Sequence, residues 1–355
     1  MSAIKDLARR SKSLIILHRI VDNWQRRRAF QSGKTTTAYG STHEFWSLEK
    51  SVDYINLVYR EYLEYSGLTP QAFAGKRILE VGPGDNFGVA LKFLADGAAK
   101  VVSLDKFYSE RNEEQQARIY RALREQLTPQ QAAVFDDAIE LAKEGEVNKN
   151  QIERNKPEYV LNKTKLEYIY GHGIEEADRI LERESFHFIV SRAVLHNVYD
   201  IERGFAAMDR VLAPGGYMAH KIDFSDENMF SSRGMHPLTF LTIPERIYRL
   251  MAKDSGKPNR KLIADYRKLM RRLDYDAKLF VSSIVGSGAL RPYKEKLEPG
   301  VDYSAETIEL IEEIRPTLAS PYRSLSTENL AVAGIFLVAR KPERVRNATK
   351  QAGIG

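Results

Sequence analysis

Residues 77–105, "RILEVGPGDNFGVALKFLADGAAKVVSLD", constrain the fold of this chain more than any other stretch. Ile78–Val81 is a short apolar run that reads as a buried strand. Gly82 and Gly84 follow at once, where a chain must turn sharply. Glycine accepts positive φ there and lets a ligand approach the backbone. Residues 85–98 read as a helix with Gly97 near its end, and "KVVSLD" at 100–105 reads as a second strand. Strand, helix and strand in so few residues make a βαβ unit, which commits its surroundings to a parallel sheet covered by crossover helices. The first N–H groups of the helix have no partner within it and point toward whatever lies over the turn.

The spacing narrows that ligand. Gly82, Gly84 and Gly88 are spaced G-x-G-x-x-x-G, which departs from the G-x-G-x-x-G of dinucleotide turns. Glu80 lies two residues before Gly82. A carboxylate is unhelpful beside a pyrophosphate and suits a ligand with cationic groups. Asp105, at the end of the second strand, stands where a carboxylate accepts both hydroxyls of a ribose. By itself that residue could equally cap a helix, and the turn could merely close a corner.

The remaining chain supplies the other parts of an α/β domain. Residues 40–66 carry apolar side chains at three-to-four spacing and read as a helix. Further strands are expected at 166–171, 186–191, 217–224, 277–284 and 329–342, with helices over 174–183, 200–216 and 305–314. Residues 106–165 and 225–275 are too long for connections and read as helical insertions. The expected division is a helical N-terminal region with a basic arm (1–65), a main domain (66–345) and a flexible tail (346–355).

The absence of cysteine among the 355 residues excludes disulfides, thiolate catalysis and cysteine-bound metal. Residues 1–34 hold nine Lys or Arg against two Asp or Glu, while the rest holds 45 against 46. The body is therefore near neutral, which argues against a large nucleic-acid face. The arm has helical periodicity, and its apolar run Leu14–Leu17 is far too short to span a bilayer. It is expected to dock on its own domain or on a sister subunit in a homodimer. The alternative is peripheral contact with anionic lipid. A cytoplasmic protein, with the arm as a route to a membrane surface, is the expected localisation.

Two later stretches decide between ligands. "IVSRAVLHNVYD" (189–200) follows an expected strand, and "MDRVLAPGGYMAHKID" (208–223) runs into the next. Taken in order with Glu80–Gly84 and Asp105, they resemble class I S-adenosylmethionine-dependent methyltransferases, of the bacterial small-molecule or glycan type with helical insertions. The resemblance covers roughly residues 66–224 and, less specifically, 275–341. It implies a doubly wound, mostly parallel seven-stranded sheet in order 3-2-1-4-5-7-6, with strand seven antiparallel. It also implies S-adenosylmethionine as cofactor, with Glu80, Gly82 and Gly84 at its methionine end and Asp105 on its ribose. Lys106 or Phe107 would flank the adenine, and Gly173 and Ile174 would border it. Ser191 and Arg192 would face the methyl-transfer region. Families often place an Asp after strand three to meet the adenine amine; "GHGIEE" here offers a backbone group instead.

Methyl transfer needs donor, methyl and acceptor held in line, and a hydroxyl acceptor must also lose its proton. His196, His220 and Asp223 lie near the carboxyl ends of expected strands and are the candidate proton acceptors. His236 and Arg260, in the second insertion, are candidates for holding the substrate, Arg260 as an anion clamp. Nothing in the spacing of Asp223, Asp226 and His236 demands a metal. The expected reaction is methylation of a hydroxyl on a small-molecule or glycan-linked acceptor. N-methylation of a small molecule and cofactor binding without turnover are the rivals.

Overall fold

The structure, a computed structural model, describes residues 11–37, 40, 42–142 and 157–343. Its centre is a sheet of eight strands: β1 (Arg77–Val81), β2 (Lys100–Asp105), β3 (Leu166–Tyr170), β4 (Phe186–Arg192), β5 (Leu212–Asp223), β6 (Asp276–Ile284), β7 (Gly288–Lys294) and β8 (Val332–Arg340). They lie in the order β7-β6-β8-β5-β4-β1-β2-β3. The five from β3 to β5 are parallel neighbours, and β8 runs antiparallel between β5 and β6.

The seven-stranded expectation is corrected by β7, which extends the sheet as a hairpin with β6. Its sequence, "GALRPYK", lacks alternation and contains Pro292, so it does not read as a strand. Proline is tolerated at a sheet edge because its missing N–H has no ladder partner to lose.

The parallel strands are apolar on both faces, as a sheet covered on both sides requires. Alternate residues of β4 show this: Ile189 packs into one apolar layer, Phe188 and Val190 into the other. Among the described residues, nine principal helices surround the sheet: α1 (Lys12–Gln31), α2 (Leu48–Ser66), α3 (Gly88–Ala95), α4 (Glu113–Arg124), α5 (Pro129–Ala138), α6 (Ile201–Val211), α7 (Glu245–Ala252), α8 (Ile263–Arg272) and α9 (Ala305–Ile314). Gly88 lets α3 pack closely: a Cβ there would fall 2.7 Å from Ile55 of α2 and 2.9 Å from Leu123 of α4.

Several boundaries differ from the sequence reading. The helix expected over 40–66 begins only at Leu48, where Ser47 Oγ accepts the Lys50 N–H at 3.2 Å. The residues before it cross the glycine turn instead, with the Gly40 carbonyl accepting the Asp85 N–H at 3.2 Å. The helix expected over 200–216 stops at Val211, and "LAPGG" opens β5. Pro214 cannot continue a helix. The stretch 174–183 shrinks to short turns at Ile174–Glu176 and Ala177–Ile180. The first insertion is not wholly helical, since Ile139–Leu141 pairs with Tyr159–Leu161.

The N-terminal helix docks on the second insertion. Ile15 is buried in the core, and Asn23 Oδ1 accepts the Asp254 N–H at 2.7 Å. Residues 1–10 of the arm and the tail from 346 lie outside the described residues.

Candidate active site

A cavity of about 410 Å³ opens at the carboxyl ends of the parallel strands. This is where open α/β sheets take their ligands, because the loops there diverge and helix N-termini converge. It is lined by Glu80, Gly82 and Gly84 at the end of β1, by Asp105, Lys106 and Phe107 at the end of β2, by Ile174 and Glu175 after β3, and by Arg192 at the end of β4. The N-terminal region adds His43 and Tyr54, and the second insertion adds Glu227 and Lys253.

The glycines behave as the turn requires. Gly82 and Gly84 have φ of +71° and +67°. A Cβ on Gly82 would stand 2.2 Å from a Val194 methyl, and one on Gly84 would stand 2.9 Å from the Gly40 carbonyl oxygen. Neither place has room for a side chain, so the backbone itself faces the cavity.

Three carboxylates share this floor, Glu80 and Asp85 buried and Asp105 partly buried. Glu80 is 7% exposed and accepts a hydrogen bond from Ser103 Oγ at 2.8 Å. Burial pushes its carboxyl up to about 7, and the nearby Asp105 adds to this against the Ser103 bond. Burial likewise pushes Asp105 up to about 6, although it accepts the Phe107 N–H at 3.2 Å. Asp85 beside them is raised to about 6 by burial, and its Oδ2 accepts the Glu44 N–H at 3.1 Å. Acids held this far above their ordinary range are relieved by a ligand that brings positive charge and hydroxyl donors.

The wall over β4 is built from Arg192. Its Nε donates to Tyr54 Oη at 3.0 Å, and its guanidinium also pairs with the buried Glu61. Glu61 further accepts from Arg291 and Tyr293, each at 2.7 Å. His43 stands against Tyr54 and Trp46, with ring centroids 5.9 and 5.6 Å away. It is 6% exposed, its Nδ1 has no partner, and burial depresses its imidazole to about 4. On the insertion side, Glu227 accepts from His196 Nε2 at 2.7 Å and Asn197 Nδ2 at 2.8 Å. Burial raises the Glu227 carboxyl, but these donors and Lys257 outweigh it and hold it at about 2.

Eight of the residues singled out from the sequence line this cavity: Glu80, Gly82, Gly84, Asp105, Lys106, Phe107, Ile174 and Arg192. Gly173 sits just behind the wall, its Cβ position 2.5 Å from Glu175 Oε2. Ser191 does not line it; its hydroxyl shares a 2.8 Å hydrogen bond with His220 Nδ1 beneath the surface. His220 is wholly buried within the sheet, and burial depresses it to about 3. His196 touches the cavity only through Glu227, and Asp223 is occupied by the Ser225 N–H at 2.8 Å.

Two expectations are corrected by geometry. His236 is a structural link: its Nδ1 accepts the Leu238 N–H at 3.0 Å and its Nε2 donates to the Leu310 carbonyl at 2.8 Å. Arg260 is no clamp. It stacks on Tyr248 at 3.8 Å, and its two terminal nitrogens donate to the carbonyls of Phe240 and Ile243 and to Glu245. After β3, Glu175 adds a carboxylate to the wall beside the place expected to offer a backbone group.

The sequence reading passed over His43, Tyr54, Glu175 and Glu227. "GHGIEE" did contain the Glu175 carboxylate. Nothing local marked "THEFW" as part of a site, because its contact with the glycine turn is made across forty residues.

The profile of the family described as methyltransferase domain matches residues 54–275. The chain belongs to that family. Its sheet order and its cavity agree with that membership. No curated protein matches. Among solved structures, it is similar to phosphoethanolamine N-methyltransferase 2 of Haemonchus contortus in complex with S-adenosyl-L-methionine, at 13% identity over 80% of this chain and 52% of that one, TM-score 0.40. It is also similar to the CurJ carbon methyltransferase, at 13% identity over 86% and 57%, TM-score 0.37. A third is an S-adenosylmethionine-dependent methyltransferase from Mesorhizobium loti, at 14% identity over 81% and 100%, TM-score 0.37. The chain aligns with only about half of the first two.

The residues present fit S-adenosylmethionine, the cofactor that the sequence resemblance implies. Its sulfonium and ammonium match the raised Glu80, its ribose hydroxyls match Asp105, and its close approach to the turn matches the bare Gly82 and Gly84.

Proposed function

We propose that this methyltransferase acts on a hydroxyl of a small-molecule or glycan-linked acceptor, with His43 taking the proton. The carrying observation is a buried imidazole that lines the cavity and has an unpartnered Nδ1. Within the cavity, Glu80, Gly82 and Gly84 would hold the methionine end of the cofactor and Asp105 its ribose. Phe107, Lys106 and Ile174, backed by Gly173, would enclose the adenine, and Glu175 would accept from its amine. When bound, S-adenosylmethionine supplies an electrophilic methyl group.

His43 is neutral at ordinary pH because burial disfavours the imidazolium. A weak base suffices here: the acceptor oxygen becomes strongly acidic as it gains the methyl, so the proton passes downhill to Nδ1. Arg192 and Tyr54 brace one wall against movement, and Glu44 ties the covering segment to Asp85. His196, through Glu227, positions the opposite wall. His196, His220 and Asp223 have no direct face on the cavity, so the proton falls to His43.

Glu227 supports a second reading. A carboxylate fixed as an anion in the cavity wall can orient an acceptor amine through its N–H groups, and the amine, once it has lost its extra proton to solvent, would take the methyl on its nitrogen lone pair.

The test is methyl transfer from labelled S-adenosylmethionine to a panel of sugars, nucleotide-sugars, lipid-linked glycans and small amines. An O-methyl product is expected. In single turnover, His43→Ala and His43→Gln should be slower by about a hundredfold to ten-thousandfold, with cofactor affinity nearly unchanged. An N-methyl product, or turnover within a few fold of wild type in both variants, overturns this reading.

A further inference from the structure

The apolar stripe of α1 faces outward. Leu14, Leu17, Val21 and Trp24 are 48, 57, 44 and 54% exposed, and their spacing puts them on one side of the helix. The opposite side, with Ile15 and Asn23, is the one that docks on the domain. A helix packed only to complete its own core would have the reverse arrangement. The neighbouring α7, which packs on α1, exposes Ile247 and Leu250. Six of the eleven large exposed hydrophobics among the described residues thus sit on two adjacent helices.

The charge around this patch has one sign. Arg27 and Arg28 on α1 and Arg246 and Arg249 on α7 are exposed, and Arg28 lies over the Trp24 ring at 4.4 Å. The carboxylates on the two helices are engaged: Asp22 pairs with Arg19 and Arg26 at 3.7 and 3.1 Å, and Glu245 pairs with Arg260. Aliphatic side chains with a tryptophan, bordered by arginines, match the acyl and headgroup layers of an anionic bilayer. Pairing two copies through this face would set each arginine group against its own image.

We propose that the outward face of α1 and α7 docks on an anionic lipid surface. Arg26 of α1 and Lys253, just after α7, also line the methyl-transfer cavity. Docking in this way brings the cavity's rim to the membrane, where an acceptor carried on a lipid would be within reach.

The experiment is flotation of the full chain with vesicles of phosphatidylcholine alone and with about one third phosphatidylglycerol, at low and high salt. Binding to the anionic vesicles is expected, weakening severalfold at high salt, with little binding to phosphatidylcholine. The double variant Leu17→Gln, Trp24→Ser should lose at least about tenfold in binding, and Leu250→Gln on the other helix should lose severalfold, with unchanged melting. Three outcomes overturn the proposal: no flotation of wild type at low salt, undiminished flotation of both variants, or a wild-type dimer in sedimentation that the double variant converts to monomer.

Discussion

Glu80→Gln should make the cofactor-free protein more stable while weakening its hold on the cofactor. The carboxyl stands at about 7 in the fold against an ordinary 4.5, chiefly because burial penalises its charge. The sign follows from linkage. Below 4.5 both states are protonated and the group contributes nothing. As pH rises from 4.5 to 7, the unfolded chain releases the proton and the folded one keeps it, so stability falls. At about 1.4 kcal/mol per pH unit, the cost reaches about 3 kcal/mol by pH 8 and is below about 1 kcal/mol at pH 5. Neutralising Glu80 also ends its repulsion with Asp105, while the buried glutamine amide takes back a part, so Glu80→Gln should regain about 2–3 kcal/mol at pH 8. In a chain of this size that is roughly 3–6 °C in Tm. Glutamine keeps an acceptor for Ser103 Oγ, so the hydrogen bond at 2.8 Å survives. The assay is a thermal melt at pH 5 and pH 8, beside calorimetry with S-adenosylhomocysteine and S-adenosylmethionine. Affinity should fall more for the sulfonium than for the neutral product. An equal change in Tm at both pH values, or unaltered affinity for both ligands, would refute the reasoning.

The same linkage predicts that wild-type cofactor affinity weakens as pH falls through about 7 toward 6, where Glu80 and Asp105 take up protons; a calorimetric pH series checks it. Asp105→Asn should cost about tenfold to a hundredfold in cofactor affinity without lowering Tm, because the amide oxygen can still accept the Phe107 N–H. Gly82→Ala should be destabilising and should weaken cofactor binding, since its Cβ would strike Val194 at a positive φ. Adding Val194→Ala should relieve the clash but leave about 1–2 kcal/mol of backbone strain, measurable as incomplete return of Tm.

What the sequence determined by itself was the part written in contiguous residues. The βαβ unit at 77–105 has its strand, turn and helix signals within one short span, and these proved sufficient to locate Glu80, Gly82, Gly84 and Asp105 at the cavity. Continuous apolar runs marked β2 and β4 for the same reason: a strand buried on both faces leaves an unbroken signature. The tertiary structure decided everything that depends on which distant residues meet. His220 and Asp223 stand at the right end of a strand, yet alternation turns His220 under the sheet toward Ser191, and a loop amide engages Asp223. Arg260 carries a free-looking guanidinium in sequence, but Tyr248 and three nearby acceptors consume it. His43 gained its place because Gly40 and residues 42–46 fold across the glycine turn, a contact between segments forty residues apart. A local pattern reports the hydrogen-bond and burial needs of its own backbone. It cannot report the desolvation of a side chain, because that is set by whichever remote elements close over it.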